Sequence, residues 1–279
     1  MNVIVKFLLF LQTEMTRPEP YGWYHWLWIG LTVCAITGLF LLRKHWGEKQ
    51  LKWVLLIYGG VAALTELLKQ VSWSFVWDEA LQVGSWDYQW YAAPFQLCST
   101  PIYISLLSLC LKKGKLRESC LSYLAFITAI GGLMTIVIPD SCFCRDILVN
   151  IHTMWLHCGS FVVAVYLLMS GAVKLEKSSL LRAVTVFLVM AGIALALNLG
   201  VYHSGVLVGE EFNMFYISPY FISVLPVFDT IQQAVPYPVF LGLYLVALTL
   251  GGSVVFLTAR GLAYGVKKYK QRVLIPANK

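Results

Sequence analysis

Long apolar runs alternate with short polar breaks along most of the chain. Seven runs stand out: Trp23–Leu42, Leu51–Val71, Tyr91–Leu111, Ser119–Ile138, Ile147–Val173, Ser179–Gly200 and Tyr237–Thr258. Each approaches or exceeds the roughly 20 residues that a helix needs to cross the hydrocarbon of a bilayer. The pattern predicts an all-α polytopic bundle of about seven transmembrane helices. Ahead of it, residues 1–20 read as an interfacial segment. The apolar run Met1–Leu11 is short and lacks a small-residue cleavage site, so it does not read as a signal peptide. Between the sixth and seventh runs lies a long loop, residues 201–236. Its Tyr216, Pro219, Tyr220, Phe221 and Pro226 suit an extracytoplasmic or re-entrant segment. Residues 259–279 form a basic tail. No Gly/Ser linker, low-complexity tract or repeat divides the chain, so one integral membrane domain over 1–279 is expected.

Composition agrees. Hydrophobic residues make up 59% of the chain and charged ones only 13%, about half the usual charge of a soluble domain. The net charge of +7 does not signal nucleic-acid binding, because the basic residues are dispersed among the breaks. Arg43, Lys44, Lys49 and Lys52 mark the first break. Lys112, Lys113, Lys115 and Arg117 mark the third, and Lys174, Lys177 and Arg182 the fifth. Arg260, Lys267, Lys268, Lys270 and Arg272 mark the tail. The intervening breaks are acidic, with Asp78, Glu79 and Asp87, then Asp140 and Asp146, then Glu210, Glu211 and Asp229. The positive-inside rule then puts the N-terminus outside and the C-terminus in the cytoplasm.

Polar residues inside the runs carry the candidate chemistry, since an ionisable group at mid-bilayer costs about 3 kcal/mol. Glu66 and Lys69 are three apart in the second run and share a face, which suits a structural ion pair. Gln96, Cys98, Ser99 and Thr100 cluster in the third. Asn150, Thr153, His157 and Ser160 form a polar stripe along the fifth, with His152 off it. Asn198 closes the sixth. Cys98 lies roughly 10 Å and His157 roughly 15 Å below the outer ends of their runs, so both fall at one level with Glu66, Lys69 and Asn198. His25, His45 and His203 sit at run ends and read as interfacial. Runs one, four and seven hold no ionisable interior, which argues against a proton relay. Seven cysteines contain no CxxC pair and no His/Cys metal spacing, so neither metal nor cofactor is expected. A Cys142–Cys144 disulfide is open but would be strained.

The run from Trp86 through Pro94 and Leu97 to Cys98 and Ser99 resembles the signature of the YwaF-like bacterial membrane proteins. The stretch Asn150–Ser160 with His157, followed by Val165–Leu168, is similar to that family's fifth span. The segment from Glu211 through Asn213 and Met214 to Tyr216 is similar to its Asn-containing segment. The likeness extends from about Gly22 to about Gly265 and implies a multi-pass protein of the bacterial plasma membrane. The family is grouped with an animal acyltransferase that acts on lyso ether-phospholipids. Carried over, its cysteine falls on Cys98, its histidine on His157 and its Asn-Met pair on Asn213 and Met214.

The resemblance implies a membrane-embedded transacylase with phospholipid and lysophospholipid substrates. Cys98 would form a thioester and His157 would serve as general acid and base. Read from the residues and not from the resemblance, Asn213 or Ser99 is the candidate oxyanion donor and Lys69 the candidate partner for a lipid phosphate, with Gln96, Glu66 and Asn198 further candidates at the substrate. Three other readings stand beside it: a lipid or small-molecule transporter lined by Glu66 and Lys69, a seven-helix sensor or scaffold, and a thioesterase or phospholipase using the same Cys–His pair.

Overall fold

The computed structural model describes residues 1–139 and 142–274, the last three by backbone alone. Asp140 of the acidic breaks and the last five residues of the basic tail lie outside the described residues, as does the side chain of Arg272. The described chain forms helices α1 (Val3–Leu11), α2 (Trp23–Leu41), α3 (Glu48–Ser74), α4 (Thr100–Cys110) and α5 (Lys115–Phe126). They are followed by α6 (Thr128–Val137), α7 (Ile147–Met169), α8 (Lys177–His203), α9 (Phe228–Ala234) and α10 (Tyr237–Leu274). Between α3 and α4 a hairpin joins β1 (Phe75–Asp78) and β2 (Val83–Trp86), antiparallel, with Phe75 opposite Trp86 and Asp78 opposite Val83.

Among the described residues, six helical spans are long and apolar enough to cross a membrane. They are Trp23–His45, Glu48–Ser74, Lys115–Val137, Ile147–Met169, Lys177–His203 and Tyr237–Gln271. The expected third span departs from this pattern. Of the run Tyr91–Leu111, only the eleven residues of α4 are regular α-helix. The reason is local. Pro94 has no N–H to give, and Pro101 is tolerated only in a first helical turn, so the helix cannot start before Thr100. The fourth span is also composite, because α5 and α6 meet at a turn at Ile127.

The helix α5 forms the centre of the bundle. Tyr123, Ala125 and Phe126 are wholly enclosed, and they join one core with Leu55 of α3, Phe187 of α8, and Phe240 and Tyr244 of α10. On α2 and α10 the picture inverts. Trp26, Leu31, Val33, Leu250, Val254 and Leu257 all face outward. Large apolar side chains exposed along whole helices match a hydrocarbon solvent rather than water. The helix α1 packs against the last turns of α3, where Gln12 Nε2 donates to the Ser72 and Phe75 carbonyls at 2.7 and 2.6 Å.

Helices α3 and α7 approach closely because small residues permit it. A Cβ on Gly159 would lie 2.7 Å from the Tyr58 ring, and one on Gly59 would lie 2.5 Å from Ser105 Oγ of α4. Two bonds lock the α3–α7 seam. The Tyr58 hydroxyl donates to the Leu156 carbonyl at 3.1 Å, and Trp155 Nε1 donates to the Tyr58 carbonyl at 3.2 Å.

Candidate active site

Near the end of α3 that adjoins the hairpin, Glu66, Lys69 and Gln70 share one face, and the Glu66 side chain is 7% exposed. Its Oε1 receives Lys69 Nζ at 2.8 Å and Gln70 Nε2 at 2.7 Å. Its Oε2 lies 2.8 Å from Nε2 of His152 on α7. That last pair is a close N···O contact that does not meet hydrogen-bond geometry. On the other side of the imidazole, Nδ1 lies 2.9 Å from Thr65 Oγ1. A hydroxyl, an imidazole and a carboxylate therefore stand in line. The Thr65 hydroxyl also reaches the Val61 and Ala62 carbonyls at 2.9 and 3.1 Å, and which group donates across the Thr65–His152 contact depends on the imidazole tautomer.

The cluster also holds the segment that enters α4. Gln70 Nε2 donates to the Ala92 carbonyl at 2.6 Å, and Lys69 Nζ lies 3.5 Å from the same oxygen. Lys69 is thus engaged within the protein, by Glu66 and by Ala92. Six residues after Ala92 comes Cys98, just ahead of the first turn of α4. It is half-buried and packs against Ala62, Ile102 and Leu156, on the seam that carries the cluster. Lys69 and Glu66 are within electrostatic range of its sulfur, and the Ser99 hydroxyl lies beside it.

His157 takes a different side of α7. Its ring faces the Gly131 carbonyl of α6, and its own carbonyl would meet a Cβ placed on Gly132 at 2.6 Å. The arrangement brings Cys98, Glu66 and Lys69 onto one seam and puts His157 against α6. No hydrogen bond joins Cys98 to either histidine among the described residues. His152, off the polar stripe read from sequence, is the one paired with the carboxylate. The signal for it was Gly159, seven residues on and so on the same face, which marks where α7 meets a neighbour.

The three candidate amides all brace the loop after α8. Gln96 Nε2 donates to the Asn213 carbonyl at 3.0 Å and its Oε1 accepts from Phe215 N at 2.9 Å. Asn198 holds Met214 at both backbone atoms, at 3.0 and 2.7 Å. Asn213 Nδ2 donates to the Phe221 and Ile222 carbonyls and its Oδ1 accepts from Ser218 N at 2.8 Å. Phe215 and Tyr216 sit at φ of 59° and 57°, a left-handed geometry that side chains resist. The amides supply the bonds that hold it. Asn150 of the polar stripe likewise anchors a loop, exchanging bonds of 3.0 and 2.8 Å with Cys144. Among the described residues no disulfide joins Cys142 to Cys144, and burial pushes the Cys144 thiol up from its ordinary pKa.

The model of the TMEM164 family matches residues 20–256. The chain belongs to the TMEM164 family. The match contains every residue of the cluster, the half-helix α4 and the braced loop after α8. With six long apolar helices, this TMEM164 family protein is a multi-pass membrane protein. No curated protein and no solved structure matches it.

Proposed function

We propose that the chain is a membrane-embedded lipid transacylase in which Cys98 carries a fatty acyl chain from a phospholipid to a lysophospholipid. The observation that supports this best is the placement of the thiol. Cys98 is half-buried, lies just ahead of a short helix inside an apolar bundle, and shares a seam with a buried Glu66–His152 pair. The likeness of the segments around Pro94–Cys98 and His157 to the YwaF-like proteins, and through them to the animal ether-phospholipid acyltransferase, points the same way. In this reading the seven crossings include α4 with its lead-in. The N-terminus is outside a bacterial plasma membrane and the site lies towards the outer leaflet.

In the first step the Cys98 proton passes to His152 Nδ1, which exchanges Thr65 for the sulfur while Glu66 holds Nε2. The thiolate adds to the ester carbonyl. The ester C–O bond breaks, a thioester forms, and the lysolipid oxygen leaves with the proton from His152. In the second step an acceptor hydroxyl gives its proton to His152 and attacks the thioester. The C–S bond breaks and the thiol recovers its proton. The Ser99 hydroxyl beside the sulfur supplies the oxyanion donor. Few waters reach such a site, which favours transfer over hydrolysis.

One contact favours a second reading, in which Thr65 is the nucleophile because its hydroxyl already meets His152. Intact mass spectrometry separates the two. Protein incubated with mixed phospholipid and lysophospholipid should gain a fatty-acyl mass that neutral hydroxylamine removes and that Cys98→Ala abolishes. A hydroxylamine-resistant adduct that survives Cys98→Ala and is lost in Thr65→Val would assign the chemistry to Thr65. No adduct in any variant, with lipid composition unchanged, would remove the enzyme reading in favour of transport or scaffolding. His152→Gln should stop acyl loading, whereas loss with His157→Gln alone would restore His157 as the base.

A further inference from the structure

The opposite end of the bundle holds a cavity of about 300 Å³, lined among others by Trp46, Gly47, Lys113, Gly114, Arg117 and Tyr166. It is separate from the Cys98 site. Glu48, in its wall, lies eighteen residues before Glu66 on α3, which is about 27 Å along the helix axis. That distance is close to the thickness of the hydrocarbon layer, so the cavity sits at the other membrane surface.

Its carboxylates are already occupied. Glu48 takes a two-pronged contact from Arg117, at 2.6 and 3.1 Å, and Glu118 pairs with Arg182. Arg117 is occupied in turn, since its Nε donates to the Ser108 carbonyl at 3.0 Å. The groups left without partners are donors. Helices α3 and α5 both begin in the wall, capped by Gly47 and Gly114 with no side-chain bond to either first turn. The N–H groups of residues 48–50 and 115–117 have no acceptor among the described residues. The space beside both glycines is open, with nothing nearer than Gln50 Oε1 at 3.8 Å. Tyr166 is 2% exposed and lines the cavity, yet its hydroxyl has no hydrogen-bond partner among the described residues. Lys113, by contrast, is paired with Glu48 at 3.6 Å, but its side chain is 77% exposed and free to reach a ligand at the mouth.

We infer that this cavity binds a phosphoryl group, carried by a phospholipid headgroup or by a small soluble phosphate. Two helix N-termini present backbone N–H groups and the positive ends of their dipoles to the same space. The Tyr166 hydroxyl and Lys113 add a neutral and a charged donor. The size suits a phosphate ester, and a headgroup at this membrane surface would enter from the bilayer side. The site is independent of the acyl-transfer reading, and its test does not involve turnover.

The test uses the full chain purified in maltoside detergent, with binding read as a saturable thermal shift. The probes are inorganic phosphate and dihexanoyl phosphatidylglycerol below its micellar concentration. Wild type should bind at least one of them. Lys113→Gln and Tyr166→Phe should each weaken that binding about tenfold, while Cys98→Ala leaves it unchanged. The lysine side chain is largely in solvent, so its replacement does not threaten folding. Binding of the lipid alone would identify a headgroup site, and binding of both probes a site for the phosphate itself. Absence of binding, unchanged binding in both variants, or its loss in Cys98→Ala would overturn the inference.

Discussion

The two ends of α3 carry the same acid on the same face and use it differently. Glu48 and Glu66 are eighteen residues apart, about five turns, and so point the same way. At the cavity end Glu48 meets Arg117 through a two-pronged fork, with its own side chain 36% exposed. At the Cys98 end Glu66 is buried and meets a lysine, a glutamine and a histidine by single contacts. An arginine fork is rigid and holds its charge, which suits a brace between α3 and α5. A histidine exchanges protons near neutral pH. The difference teaches where chemistry can occur along the helix. The Arg117 end is held by a fork, and the His152 end by single contacts from three different side chains.

The sharpest way to break the comparison is to remove each acid in turn. Glu66→Gln leaves Lys69 and His152 buried without their anion, and should cost about 3–5 kcal/mol in reversible unfolding from detergent. A loss below 1 kcal/mol would mean that the cluster is hydrated and not the buried group described above. Next in size, Gly159→Ala forces a methyl against the Tyr58 ring and should cost about 2 kcal/mol. It should also lower acyl loading by spreading His152 from Glu66. Gly60→Ala, whose added methyl meets nothing within 4 Å, serves as the control and should be neutral or stabilising by up to about 1 kcal/mol.

Glu48→Gln comes third, at about 1 kcal/mol, because solvent screens the partly exposed Glu48 although Arg117 beside it is buried. Equal losses for Glu48→Gln and Glu66→Gln would erase the distinction between the ends. The smallest effect is that of salt. Raising ionic strength from 0.05 to 0.5 M should cost wild type a few tenths of a kcal/mol through the Glu48 end. That dependence should vanish in Glu48→Gln and persist in Glu66→Gln.

Hydropathy located six of the long helices because each is a contiguous apolar run, the signal that composition carries best. It did not reveal that the third run is α-helical only over α4, because a window average cannot see what Pro94 and Pro101 do to backbone hydrogen bonding. Depth counting put Cys98, His157, Glu66, Lys69 and Asn198 at one level; Cys98, Glu66 and Lys69 share a seam, whereas His157 faces α6 and Asn198 braces the loop after α8. It could not choose between His152 and His157, since both lie on the first turns of one helix and differ in azimuth. Azimuth is set by packing, through Gly159 against Tyr58 and Gly132 against α6. The amides of Gln96, Asn198 and Asn213 were legible as unusual but not as loop braces, because their partners are backbone atoms far along the chain.

The brevity of α4 has a consequence for synthesis at the ribosome. Eleven helical residues reach about 17 Å, little more than half of the hydrocarbon. A segment of that length, led by residues with unpaired backbone groups, cannot partition into lipid from the translocon by itself. It must wait beside α3, whose Gln70 and Lys69 take up its lead-in, until α5 emerges to cover its other side. A helix this short therefore depends on α3 and α5 on either side of it for its place in the bundle.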